Sequence, residues 1–276
     1  MNRLKIVLWN LKRFFFGKCS VEIHISEHCN LNCVGCSHYS PLAEPAFCDL
    51  EDLDNNLRKL SKIRKSIRII RLLGGEPLLN PDVTKAFELV RNYLGQVKIE
   101  LVTNGLLLKS GKLPCSFWEE LKRYNVTLCL TKYPINIDYT KLVEYCKGKG
   151  VQTEIYNSPH GRFSLFKLDR YKISGRKNYY RCEEKVCFQL VSNRIFSCAQ
   201  SAYVGYLNKT FGCDFKHERD DYIIIDNINY FKFLGFRLLP RSFCKYCVFP
   251  RQDIDWKRSE CKPEEWLELN VKTFSR

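Results

Sequence analysis

Cys29-Asn30-Leu31-Asn32-Cys33-Val34-Gly35-Cys36 is the stretch whose reading decides the fold, and it follows directly on a predicted β-strand over residues 21–26. Three thiols on one tight loop can bind three irons of a cubane and leave the fourth iron open, which a four-cysteine electron-transfer site does not allow. An open iron can chelate a small molecule. The competing structural reading is a zinc loop short of one ligand, with His38 as the nearest substitute, because the next cysteine is Cys48.

Outward from this loop the chain alternates. Asp49 is placed to cap a helix whose apolar positions Leu50, Leu53, Leu57, Leu60 and Ile63 follow the three-to-four rhythm. Residues 67–73 read as a buried strand ending at Gly74-Gly75, and Asn80-Pro81 opens a helix to about residue 94. Strands over 97–103, 126–131 and 151–156 alternate with helices over 116–124 and 139–147. Five strands separated by such helices predict βαβ units and a parallel sheet. From residue 159 to 181 the chain turns basic and loses its period. Strands over 188–191 and 195–199, joined by Ser192-Asn193-Arg194, then form a short hairpin among cysteines. A strand over 222–225, a helix near 228–239, the pair Cys244 and Cys247, and a helix from about Pro263 complete the tail.

With 276 residues, 45% of them hydrophobic, the chain can bury a sizeable core. Fifteen cysteines would fit a disulfide-rich secreted protein only behind a signal peptide, and the apolar runs near the start are too short for one. A reducing cytoplasm is therefore expected, with clustered cysteines as metal ligands, and no window reaches the length of a membrane span. Leu4, Val7, Leu8, Leu11, Phe14 and Phe15 recur at helical spacing, which gives an amphipathic helix over 1–18. The net charge of +15 raises nucleic acid, an anionic surface or an acidic substrate as partners. Basic and aromatic side chains interleave between Ser158 and Arg181, as in single-strand binders, but a solvated loop or an anion-binding lid is the commoner use.

The cysteine triplet, with the strand before it, resembles the signature of the radical S-adenosylmethionine (SAM) superfamily. Gly74-Gly75-Glu76-Pro77, ending the second strand, resembles that family's GGEP motif, and Thr103-Asn104-Gly105, ending the third, resembles its TNG turn. The resemblance implies an α/β fold, a partial (βα)6 TIM-like barrel with ligand groups at the C-terminal strand ends. It implies a [4Fe-4S] cluster on Cys29, Cys33 and Cys36, and SAM contacts from Gly74, Gly75, Glu76, Pro77, Thr103, Asn104 and, by position, Thr131. Glu76 could accept from the SAM ammonium. Lys132 is a further candidate by position. Gly35 departs from the family, which places an aromatic residue there near the adenine; His38 or Tyr39 is the substitute to look for.

Cys187, Cys198, Cys244 and Cys247 resemble the twitch or truncated SPASM-type extension of that family, a small α+β unit of hairpin and helix that holds an auxiliary [4Fe-4S] cluster. Cys182 is a rival fourth ligand, and a structural zinc is the alternative occupant. Cys19, Cys48, Cys115, Cys129, Cys146, Cys213 and Cys261 read as small buried hydrophobes, with Cys261 the one to watch. The resulting division is a helix over 1–18, a core over 19–180 and the extension over 181–276. The implied activity is reductive cleavage of SAM to a 5′-deoxyadenosyl radical that abstracts hydrogen from a small polar or sugar-like substrate, an oxidoreductase fed by a reductant such as flavodoxin or ferredoxin. Modification of a peptide is the alternative within the enzyme class. A non-catalytic zinc or iron–sulfur module on nucleic acid is the alternative outside it.

Overall fold

In β1 (Cys19–Ser26), Val21, Ile23 and Ile25 enter one core while Glu22, His24 and Ser26 face the other way, as a pleated strand requires. The computed structural model describes residues 19–156, 163–170 and 174–268. The helix expected over 1–18 and the basic side chains at His160, Arg162 and Lys172 lie outside these residues, and in place of the helix expected from Pro263 the chain makes a single 3-10 turn over Pro263–Glu265. β1 is followed by β2 (Ile67–Gly74), β3 (Lys98–Thr103), β4 (Val126–Thr131) and β5 (Thr153–Tyr156), each parallel to its neighbour. The helices Leu50–Leu60, Val83–Leu94, Cys115–Arg123 and Tyr139–Gly148 make the crossovers.

Helix starts obey local chemistry. The Asp49 side chain accepts from the N–H groups of Glu51 and Asp52, as its position predicts. Asn80 does something else. Its Oδ1 accepts from Asp82 N–H at 2.8 Å and its Nδ2 donates to the Ile25 carbonyl at 2.9 Å, so it ties this turn to β1 and the helix begins later, at Val83.

The helices cover one face of the sheet. Leu57, Leu60, Phe87, Val90, Leu121 and Leu142 pack there on the apolar side chains of β1 to β4. The other face carries a buried polar row. Arg71 donates to Glu22 at 3.1 Å and to Glu100 at 2.9 Å, and Gln189 Nε2 donates to Glu22 at 2.6 Å. Tyr156 closes the row with a bond to Glu100 at 2.8 Å. Buried charges persist only when paired in this way.

β7 (Cys187–Val191) lies parallel to β1 on its far side, and β8 (Arg194–Phe196) and β9 (Tyr222–Ile224) follow antiparallel, giving the order β5-β4-β3-β2-β1-β7-β8-β9. The expected hairpin is present, turning at Ser192, whose φ of 50° suits a two-residue connection. The largely parallel α/β sheet agrees with the expected fold class, with one structural difference. After β5 the chain leaves the sheet to form β6 (Phe163–Leu165), which pairs antiparallel with β10 (Gln252–Ile254). The sixth parallel strand is therefore β7, drawn from the expected extension and placed beside β1, and the sheet stays open. Strands from both sides of the boundary expected at residue 180 share this sheet.

A second core lies under the extension, built on Tyr39, Leu168, Leu207, Phe243 and Trp266. Among the described residues, no helix is long and apolar enough to cross a membrane.

Candidate functional site

The cysteine loop is bent at Asn32, Gly35 and Tyr39, with φ of 51°, 58° and 55°. A Cβ on Gly35 would sit 2.2 Å from Leu165 Cδ2, so the structure has no room there for an aromatic side chain. The tail straps the loop from outside: Val34 N–H donates to the Lys257 carbonyl at 3.0 Å and Ser259 N–H to that of Asn32 at 2.8 Å. Trp266 Nε1 donates to the Cys36 carbonyl at 2.9 Å.

From inside, the Gly74-Gly75 turn holds the loop. Gly75 N–H donates to the Ser26 carbonyl at 2.8 Å and Glu76 N–H to that of His28 at 2.9 Å. A Cβ on Gly74 would lie 2.0 Å from Ser26 O, and one on Gly75 2.0 Å from His28 O, so the approach requires glycine at both positions. Gly75→Ala is expected to destabilise the chain by about 3 kcal/mol, because backbone on both sides must move. Urea denaturation measures it; a cost under about 0.5 kcal/mol, ordinary for a surface change, would contradict the close-approach role.

Glu76 is fully buried, and its carboxylate accepts from Leu78 N–H at 3.1 Å, Thr103 Oγ1 at 2.6 Å and Asn104 N–H at 2.9 Å. Burial raises its carboxyl to about 7 against these three bonds. The side chain therefore joins the turns after β2 and β3; Glu76 and Pro77 are both buried and neither lines the cavity described below. Glu76→Ala would leave three buried donors unpaired, at about 1–3 kcal/mol each before relaxation. A melting temperature within a degree of the parent would refute that structural role. Asn104 carries the connection on to the cysteines: its Nδ2 donates to Asn30 Oδ1 at 2.8 Å and lies 3.8 Å from Cys29 Sγ.

These turns open on a cavity of about 440 Å³, within the range of small-molecule sites. Cys29, Cys33 and Cys36 line it together with Gly74, Gly75, Thr103, Asn104 and Thr131. Lys132 is exposed and does not line it. Of the two substitutes proposed for Gly35, His38 lines the cavity, whereas Tyr39 is buried in the second core. Sequence reasoning missed Tyr133, Glu183, Glu184 and Arg251, which line the same cavity. Tyr133 stacks on Phe163 with centroids 5.5 Å apart, and nothing in the local sequence signals that pairing across the fold.

Burial raises the Cys29 thiol to about 11 and the Cys33 thiol to about 12, with neighbouring thiols adding to the effect. Cys36 goes the other way. Burial would raise it, but the hydrogen bond with His38 brings it below its ordinary value. Burial would depress His38 in turn, and its bonds to Cys36 and Glu22 carry it up to about 10. Metal ligation needs thiolates, so loading this site releases protons.

A second, tighter pocket of about 30 Å³ is lined by Cys182, Cys198, Cys244 and Cys247. Each pushes on the others: Cys198 is raised first by burial and then by Cys247, Cys244 and Cys182. Cys187 is not part of this group. It pairs with Ser20 on β1 and is surrounded by Glu22, Glu184 and Arg71. Of the expected quartet, Cys198, Cys244 and Cys247 thus share the pocket with the rival Cys182, which follows the Gly175–Arg181 helix, while Cys187 lies outside it. Asn178 of that helix donates to the carbonyls of Cys244 and Cys247 at 2.9 and 2.7 Å, fixing the pair.

Among the described residues, the group whose metal-ligating atoms all lie within 4.8 Å of one another is Glu100, Cys129 and Glu154, so no three of the pocket sulfurs are that close. A tetrahedral zinc, with Zn–S of about 2.3 Å, would hold its thiolates about 3.8 Å apart. Lys98 bridges Glu100 and Glu154 at 2.8 and 2.9 Å, so a cation already serves that group. Of the remaining cysteines, Cys19, Cys129 and Cys146 are buried as expected, while Cys115 and Cys261 are exposed.

The three loop cysteines thus line a cavity at the C-terminal strand ends of a largely parallel α/β sheet, where ligands of such folds bind. Residues 23–141 match the family model described as the Radical SAM superfamily. That family's cofactors are a [4Fe-4S] cluster and SAM. A probable GTP 3′,8-cyclase of Methanothermobacter marburgensis is 33% identical over 95 residues, 34% of this chain and 30% of that protein. A probable GTP 3′,8-cyclase of Pyrococcus abyssi is 27% identical over 154 residues, 53% of this chain and 47% of that one. The matches thus span less than half the length of these relatives. The crystal structure of BtrN in complex with AdoMet and 2-DOIA superposes with a TM-score of 0.52 at 16% identity, covering 83% of this chain and 92% of that one, which is a likeness of fold.

Proposed function

We propose that this chain is a radical SAM enzyme that holds a site-differentiated [4Fe-4S] cluster on Cys29, Cys33 and Cys36 and cleaves SAM there. The cavity carries the reading: the three thiols share it with Gly74, Gly75, Thr103, Asn104 and Thr131 at the C-terminal ends of β2, β3 and β4. When bound, the cluster supplies the electron that splits SAM into methionine and a 5′-deoxyadenosyl radical. The chain's own work is placement. The two glycines bring backbone against the ligand, Asn104 orients the cysteine loop, and Tyr133, Phe163 and Phe166 exclude water and quenchers.

Glu183, Glu184 and Arg251 give the same cavity charges of both signs, which supports a small polar or sugar-like substrate as the hydrogen donor. The pocket of Cys182, Cys198, Cys244 and Cys247 supports a second, auxiliary [4Fe-4S] cluster in a twitch-like extension and, with it, a net oxidation fed by a cytoplasmic reductant such as flavodoxin or ferredoxin. Anaerobic reconstitution followed by dithionite and SAM tests the activity. Release of 5′-deoxyadenosine that needs both dithionite and iron is the expected result; an iron-loaded chain that binds SAM and releases none would refute the assignment.

A further inference from the structure

The second pocket contains more than thiols. Gln200 Nε2, Ser201 Oγ, and Nε and Nη2 of Arg241 are buried donors without a hydrogen-bond partner, and all three residues line it. Their exposures are 3%, 1% and 5%, which keeps bulk solvent from them. A buried unpaired donor costs about 1–3 kcal/mol, and a concentration of them around one small space calls for a common acceptor. Arg241 is anchored elsewhere: its Nη1 donates to the Asp220 carbonyl at 3.1 Å and its guanidinium lies 3.7 Å from the centre of the Phe236 ring, which leaves the other two nitrogens to point inward. Arg251 adds a second guanidinium. It packs 3.9 Å over Phe166, donates to Cys182 Sγ at 3.2 Å, and lines both this pocket and the larger cavity.

We infer that Gln200, Ser201, Arg241 and Arg251 form a donor shell that raises the reduction potential of a cluster in this pocket and fits it to accept an electron. The inference rests on the auxiliary cluster proposed above. Four thiolates around a [4Fe-4S] core leave a net negative charge that grows by one on reduction. Hydrogen bonds to sulfur and two guanidinium charges in a poorly hydrated pocket stabilise the reduced form more than the oxidised one. Sulfur is the acceptor that four converging donors and four thiols have in common.

The test isolates the second site. Full-length chain with Cys29, Cys33 and Cys36 all replaced by alanine is reconstituted, its iron counted, and its midpoint potential measured by titration followed by electron paramagnetic resonance. Ser201→Ala, Gln200→Met and Arg251→Met are then added singly. Each is expected to keep about four irons and to lower the potential. Arg251→Met should have the largest effect, reducing the reduced-to-oxidised ratio at fixed ambient potential about tenfold, which for one electron is about 59 mV. Arg251→Lys should recover part of that shift. If Arg251→Met loses iron, Ser201→Ala, which removes a single hydroxyl, carries the test. Full iron with unmoved potentials in all variants would overturn the donor shell alone. A background chain that binds no iron would overturn the auxiliary cluster and, with it, this inference.

Discussion

Alanine at Cys29, Cys33 or Cys36 is expected to lower dithionite-dependent 5′-deoxyadenosine formation by about a thousandfold or more, equivalent to some 4 kcal/mol of barrier. Each substitution removes one of the three thiols that line the cavity, and His38, the nearest alternative, lies 3.7 Å from the Glu22 carboxylate. About half of the iron should remain, in the second pocket. Turnover within tenfold of the parent in any of these variants would show that the triplet is not the site of SAM cleavage.

The second large effect separates two cysteines five positions apart. Cys182→Ala is expected to remove about half of the bound iron, because Cys182 faces Cys198, Cys244 and Cys247 across the pocket. Cys187→Ala should leave the iron content at the parent level, because Cys187 stands on β7 against Ser20, among Glu22, Glu184 and Arg71. Iron analysis of both variants with the cysteine triplet intact decides it. The opposite pattern would restore Cys187 to the ligand set.

The sequence made some of this arrangement legible and hid the rest for physical reasons. The cysteine triplet, the Gly74-Gly75 turn and the Asp49 cap act over a few residues, so spacing alone carries them. The five parallel strands were legible because each has its own apolar run and its own crossover helix. Glu76 was read as an acceptor for the SAM ammonium, and its motif does not specify which way the carboxylate turns. Leu78 N–H from its own turn, with Thr103 and Asn104 at the end of β3, draws it inward. The choice between Cys182 and Cys187 depends on the register of β7 against β1, a contact across more than a hundred residues that no local pattern encodes. The same holds for Arg251 and Tyr133, which reach the cavity through the pairing of β6 with β10 and a stacked ring. Gly35 was visible as a departure, but its cause, the Leu165 side chain against its α-carbon, is tertiary.

The most direct test of the central claim is the iron and acid-labile sulfide content of anaerobically reconstituted protein, taken together with dithionite-dependent 5′-deoxyadenosine from the same sample. About eight irons and eight sulfides per chain with deoxyadenosine formed is the expected result. Stoichiometric zinc, no sulfide and no deoxyadenosine would contradict it.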